Sequence, residues 1–127
     1  NLGKFLAKKN KDNAIKFSEF KHNSIIENAK KSSVIILICL QRDPLESIPE
    51  WEEIASVSMA VQNMWLMSSN LKIGSYWSSP KLINFINEFT NLNQGESCLG
   101  IYYMGNYDKE TNNRTPGPIE DKVTWLD

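Results

Sequence analysis

Trp77, Ser78 and Ser79 follow directly on an apolar helical stretch and a glycine. Together they bring an indole, two hydroxyls and successive backbone amides to one place. That set suits the edge of a large planar ligand: amides hydrogen-bond its polar rim, and the aromatic side chain shapes the pocket. The same residues also fit a core tryptophan followed by a serine that caps the next helix. Arg114 lies in a polar loop, NNRTPGP, where a guanidinium could fork onto phosphate oxygens or stand exposed in solvent. His22 is the single histidine, between Lys21 and Asn23, and nothing nearby orients it as a catalytic base, so a surface loop is expected. Glu46, Glu50, Glu52 and Glu53 could pair as hydrolytic carboxylates, but a helix N-terminus accounts for them. The six glycines make no phosphate-loop or GxGxxG pattern, which argues against an NAD-binding Rossmann domain. A chain with so little acid–base machinery suits a redox cofactor, which carries the difficult chemistry itself.

The elements that must position these residues are legible from periodicity. Leu2, Phe5 and Leu6 are spaced for one helical face. Ser24–Lys31 reads as a short helix, with Ser24 as cap and two lysines at its C-terminus. VIILICL, Val34 to Leu40, is β-branched and apolar throughout, as in a strand covered on both faces. Ser47 and Glu50 match a capping box for a helix reaching about Leu71, amphipathic at first and apolar nearly all round from Met59 to Met67. Gly74 is expected to end it in the left-handed region. Ser79-Pro80 then opens another helix with Leu82, Ile83, Phe85, Ile86 and Phe89 on its stripe. CLGIYYM, Cys98 to Met104, is a second strand, 105–118 a loop, and Val123 to Leu126 an extended tail. The order favours an α+β fold in one domain over 1–127, with a long connection that leaves room for the strands to lie apart.

Composition bounds the function. The 127 residues are 41% hydrophobic and 23% charged, which marks a globular chain with one modest core. A net charge of −1 argues against a nucleic-acid footprint. No run approaches the roughly 18 apolar residues of a membrane span, so no membrane partner is expected. Cys39 and Cys98 have no zinc-ligand spacing, and no metal is expected; they read as two buried thiols in a reducing cytoplasm, with a disulfide as the alternative. The first residue is Asn1 and the chain opens without a helix start signal, as in a protein lacking its beginning. The all-apolar helix needs more cover than two strands and one helix supply, so a second subunit is expected to enclose it.

The run W-E-E-I-A-S-V-S-M-A-V-Q-N-M-W-L-M followed by L-K-I-G-S-Y-W-S-S resembles the second half of nitroreductase-family proteins. The later L-G-I-Y-Y-M-G strand, the loop with a basic residue and proline, and the V-T-W-L tail follow in that family's order, so the resemblance covers roughly Val34 to the end. It implies an α+β homodimer with two FMN sites at the subunit interface. It implies two-step hydride chemistry: NAD(P)H reduces FMN and leaves, and a nitroaromatic, quinone or similar small-molecule electron acceptor enters the same pocket. By position, Trp77, Ser78 and Ser79 correspond to the segment that touches FMN. Arg114 corresponds to a basic position near the FMN phosphate. Lys72 lies where some relatives are assigned nicotinamide-cofactor contacts and would meet a phosphate. The family's N-terminal Arg-Arg-Ser-x-Arg-like element has no counterpart here. The resemblance therefore implies the C-terminal two-thirds of a larger protein, inactive as a fragment and weak in FMN binding. Two rivals remain: a flavin-binding protein without reductase activity, and a non-flavin helical dimerisation module.

Overall fold

The computed structural model describes residues 4, 8, 19–107 and 115–126. The expected helical face of Leu2, Phe5 and Leu6 lies outside them, as does Arg114. Helix α1 (Glu19–Lys31) leads into strand β1 (Val34–Gln41), helix α2 (Glu50–Asn70), strand β2 (Gly74–Ser78), a 3₁₀ helix (Lys81–Glu88) and strand β3 (Glu96–Gly105); a short 3₁₀ turn (Ile119–Asp121) follows. The α+β class is as expected. The sheet is antiparallel in the order β1-β3-β2, so the two strands foreseen in the sequence are direct neighbours and β3 is central.

Alternation along β3 decides what is buried. Tyr102 is fully enclosed and joins Ile38 and Val61 in a core that Ile36, Val57, Met64, Trp77, Leu99 and Met104 complete. These residues come from all three strands and from α2, which fixes that helix across the sheet. The opposite phase of β3 carries Ile101 and Tyr103, also buried, and the 3₁₀ helix packs on the same strand through Leu82 and Ile86. A fully buried leucine or isoleucine is worth roughly 1.5–3 kcal/mol, so these two anchor an otherwise weak helix type.

Several local expectations are corrected. α1 begins at Glu19, five residues before Ser24, so Ser24 is interior and not a cap. His22 lies in this helix, not in a loop. The Ser47–Glu50 capping box does not form: Pro49 is the N-cap, with extended backbone and no side-chain cap bond. Ser47 instead gives its hydroxyl to the Asp43 carboxylate. β1 is covered on both faces only toward its C-terminal half; Val34 and Ile35 are exposed while Ile38 and Leu40 are buried. α2 is apolar all round as expected, yet few of its residues are enclosed. Trp51, Met59, Leu66 and Met67 are all 59% exposed or more.

Candidate functional site

The site grows from the way α2 ends. Ile73 N–H donates to the Ser68 carbonyl at 2.8 Å and Lys72 N–H to the Ser69 carbonyl at 3.1 Å. This is the paired closure of a Schellman motif, with Lys72 in the left-handed position at φ 56°. Lys72, not Gly74, therefore turns the chain. Gly74 is needed for room: a Cβ there would lie 3.2 Å from the Gly105 carbonyl and 3.0 Å from the Tyr107 ring.

The segment after Gly74, expected to be a turn, is an edge strand. Gly74 pairs with Gly105, Trp77 with Tyr102 and Ser78 with Ile101. At five residues it is short, and its alternation (Ser75 and Trp77 on one face, Tyr76 and Ser78 on the other) is too brief to stand out in the sequence. Trp77 lies over Gly100, whose missing side chain leaves space for the indole; a Cβ there would sit 3.0 Å from Trp77 Cδ1 and 2.7 Å from the Ser78 carbonyl oxygen. Gly100 is a positioning residue the sequence did not reveal. Ser79 follows at the end of the strand. Pro80, not Ser79, is the N-cap of the 3₁₀ helix, and no side chain caps it.

Trp77, Ser78 and Ser79 are thus brought together at one end of β2. Lys72 lies at the other, beyond a five-residue strand that spans about 16 Å. Arg114 is outside the described residues.

Two features bear on whether a flavin fits. β2, like β1, is an edge strand among the described residues, so its outward backbone N–H and C=O groups are not used by the sheet. On the same strand, Ser75 Oγ and Trp77 Nε1 are buried without a hydrogen-bond partner. Ser75 borders the cleft at the Gly74 end, whereas Trp77 Nε1 faces Gly100 on the central strand, away from the outward edge. For the ring half of a flavin, this strand offers the free backbone groups of its outer edge. For the phosphate half the charge inventory is thin: Arg42 is committed to Glu53.

A cleft of about 210 Å³ opens at the Gly74 end, where Lys31 and Asn28 of α1 face Tyr76, Tyr103 and Tyr107. It is below the roughly 300 Å³ at which small-molecule and cofactor sites begin. Tyr76 and Tyr103 stack across β2 and β3 with centroids 6.5 Å apart and planes 11° apart. Burial, then the neighbouring Tyr76, pushes the Tyr103 phenol above its ordinary range. Among the described residues no group of three or more His, Cys, Asp and Glu lies together as a metal site, and no helix is long and apolar enough to cross a membrane.

The loop before α2 is organised by Asp43. Its carboxylate accepts from the Ser47 hydroxyl, from Leu45 N–H at 3.1 Å and from Ser47 N–H at 3.0 Å. These bonds, the hydroxyl first, hold the carboxyl below the ordinary aspartate value of 3.8. A depressed carboxyl stabilises the fold above its unfolded value, and that contribution fades as pH falls through the folded one. In a carbon-detected NMR titration, Asp43 is expected to titrate below 3.8, and Ser47→Ala to move it back up. An unchanged midpoint in Ser47→Ala would show that the hydroxyl is not the main cause.

The sequence model of the nitroreductase family matches residues 2–106. The chain belongs to the nitroreductase family. A solved nitroreductase-like family protein from Bacillus cereus shares the fold, with a TM-score of 0.67 and 22% identity over 87% of this chain and 62% of that one. The present chain therefore spans less than two thirds of that relative. No curated protein matches.

Proposed function

We propose that this nitroreductase-family chain is part of an FMN-dependent NAD(P)H oxidoreductase that works as a cytoplasmic homodimer on nitroaromatic, quinone or similar acceptors. The observation that carries the reading is the unpaired edge of β2 beside an apolar helix face. Bound FMN would supply the ring that takes a hydride from the nicotinamide and passes two electrons to the acceptor. The chain's own share is to hold that ring. Outward amides of β2 and the hydroxyls of Ser78 and Ser79 would bond its polar edge, and Trp77, seated on Gly100, would fix the strand. Lys72 and Arg114 are the proposed contacts to phosphate groups. The exposed apolar side chains of α2 and of the tail, Trp125 and Leu126 among them, would be covered by the second subunit, which excludes water from the pocket between the two copies.

The exposed α2 face by itself also favours a second reading, a dimerisation module that takes no flavin. One experiment separates them. The full-length protein, purified after expression with riboflavin, is expected to be yellow, dimeric by sedimentation, and to oxidise NADH or NADPH when given menadione or a nitrobenzoate. A colourless dimer that stays inactive with added FMN would overturn the flavin reading. A yellow dimer without turnover would leave a flavin-binding protein that is not a reductase.

A further inference from the structure

We propose that Cys39 and Cys98 form a cross-strand dithiol that closes to a disulfide when the protein meets a small-molecule disulfide such as oxidised glutathione, locking β1 to β3. The inference stands apart from the flavin reading.

The two residues are register partners on adjacent antiparallel strands, and both are free thiols. Their pairing type follows from the ladder. Arg42 N–H donates to the Gly95 carbonyl at 2.9 Å, in the register that pairs Gln41 with Glu96, Leu40 with Ser97 and Cys39 with Cys98. Hydrogen-bonded and non-hydrogen-bonded pairs alternate along such a ladder. Counting back from Arg42–Gly95 makes Leu40–Ser97 hydrogen-bonded and Cys39–Cys98 non-hydrogen-bonded. Pairs of that type hold their Cα atoms about 4.5 Å apart with both side chains on one face. A disulfide needs a Cα separation of about 4.4–6.8 Å. The sheet irregularity between Ile38 and Cys39 falls next to the pair, where the ladder is already interrupted and yields most easily to the adjustment that closure requires.

Access and reactivity set how the bond forms. Cys98 is 9% exposed and its thiol donates to the Gly100 carbonyl at 3.4 Å; Cys39 is more open. Burial pushes the Cys39 thiol up to about 11, with the adjacent Cys98 adding to the shift. Thiolate is therefore scarce at neutral pH, and closure is slow. The Cys39 thiolate attacks the small disulfide, forming a mixed disulfide and releasing one small thiol. Cys98 then attacks the Cys39 sulfur and releases the second. Two S–H bonds are lost and one protein S–S bond forms. The two electrons and two protons end on the two small thiols.

The test is an equilibration of the purified protein in glutathione buffers from fully reduced to fully oxidised, followed by alkylation in denaturant and intact-mass measurement. Both alkylation adducts are expected to disappear together, with no glutathione adduct retained, no change in subunit number on a non-reducing gel, and recovery on adding dithiothreitol. Peptide mapping should link residues 39 and 98. Cys39→Ser and Cys98→Ser should each abolish that species and leave one alkylatable or glutathionylated thiol. The oxidised wild type should melt at a higher temperature than the reduced form. Two alkylated thiols in every buffer, an intermolecular crosslink only, or an oxidised form no more stable than the reduced one would each overturn the proposal.

Discussion

Replacing Gly100 with alanine will lower the stability of this chain by about 3 kcal/mol, the upper part of the range for overpacked cores. Gly100 is on the central strand, and its missing Cβ is what lets β2 close onto β3 at Trp77. An added methyl would meet the Ser78 carbonyl oxygen at 2.7 Å and Trp77 Cδ1 at 3.0 Å. The first neighbour is backbone in a paired strand and the second belongs to a ring already packed against the core formed by Ile38, Val61 and Tyr102. Neither gives way without moving β2. A loss of that size should lower the melting temperature by roughly 10 °C in a domain of this length. The companion variant Trp77→Phe removes the indole Nε1, the atom nearest the added methyl, and the double variant should recover part of the loss but not all, because the Ser78 carbonyl remains. A double-mutant cycle on urea denaturation measures the coupling. A Gly100→Ala protein within 0.5 kcal/mol of wild type would show that β2 is held more loosely than its pairing implies. The same substitution displaces Ser78 and Ser79, so on the proposed reading flavin uptake should weaken alongside stability.

The glycine also shows where sequence reasoning stops. The long elements announce themselves: VIILICL and CLGIYYM are apolar at strand length, and the α2 run starts amphipathic and continues apolar within a helix of 21 residues. Each carries enough repeated signal to outweigh its flanks. β2 has five residues and gains its identity only from β3; GSYWS is a turn by composition and a strand by pairing. The cap assignments failed for a related reason. Ser24, Ser47 and Ser79 are good caps in isolation, but Ser47 found the Asp43 carboxylate, and prolines took the N-cap positions at 49 and 80. Local propensity names candidates, and tertiary partners choose among them. For the site, the grouping of Trp77, Ser78 and Ser79 was legible because the three are consecutive. The cradle at Gly100 was not, because it depends on a register that pairs residues more than twenty positions apart.

Glu53 is the other position where a local explanation concealed a tertiary role, and Glu53→Ala should cost about 3 kcal/mol, the lower end of the range for breaking a buried pair. In the sequence it is one of three acids in the first turn of α2, a pattern the helix dipole explains. In the fold it is 7% exposed, while Glu50 and Glu52 remain at the surface. One carboxylate oxygen takes the Arg42 guanidinium and the other accepts Asp43 N–H at 2.9 Å. The residue therefore ties the start of α2 to the end of β1, and removing it leaves a largely desolvated cation and a backbone donor unmatched. Arg42 retains 23% side-chain exposure, so water partly compensates and the loss stays below the extreme. Glu46, 4.0 Å from the same guanidinium, is exposed and cannot substitute; Glu46→Ala should change stability by less than about 0.5 kcal/mol. Glu53→Gln, which keeps an acceptor for Asp43 N–H but not the charge, should fall between them. Replacing both partners with apolar residues, Arg42→Met with Glu53→Leu, should recover much of the Glu53→Ala loss, because the cost arises from an unpaired charge more than from a missing attraction. Urea denaturation of the four variants at constant m-value decides the matter: a Glu53→Ala protein as stable as Glu46→Ala would mean that Glu53 serves the helix dipole and nothing more.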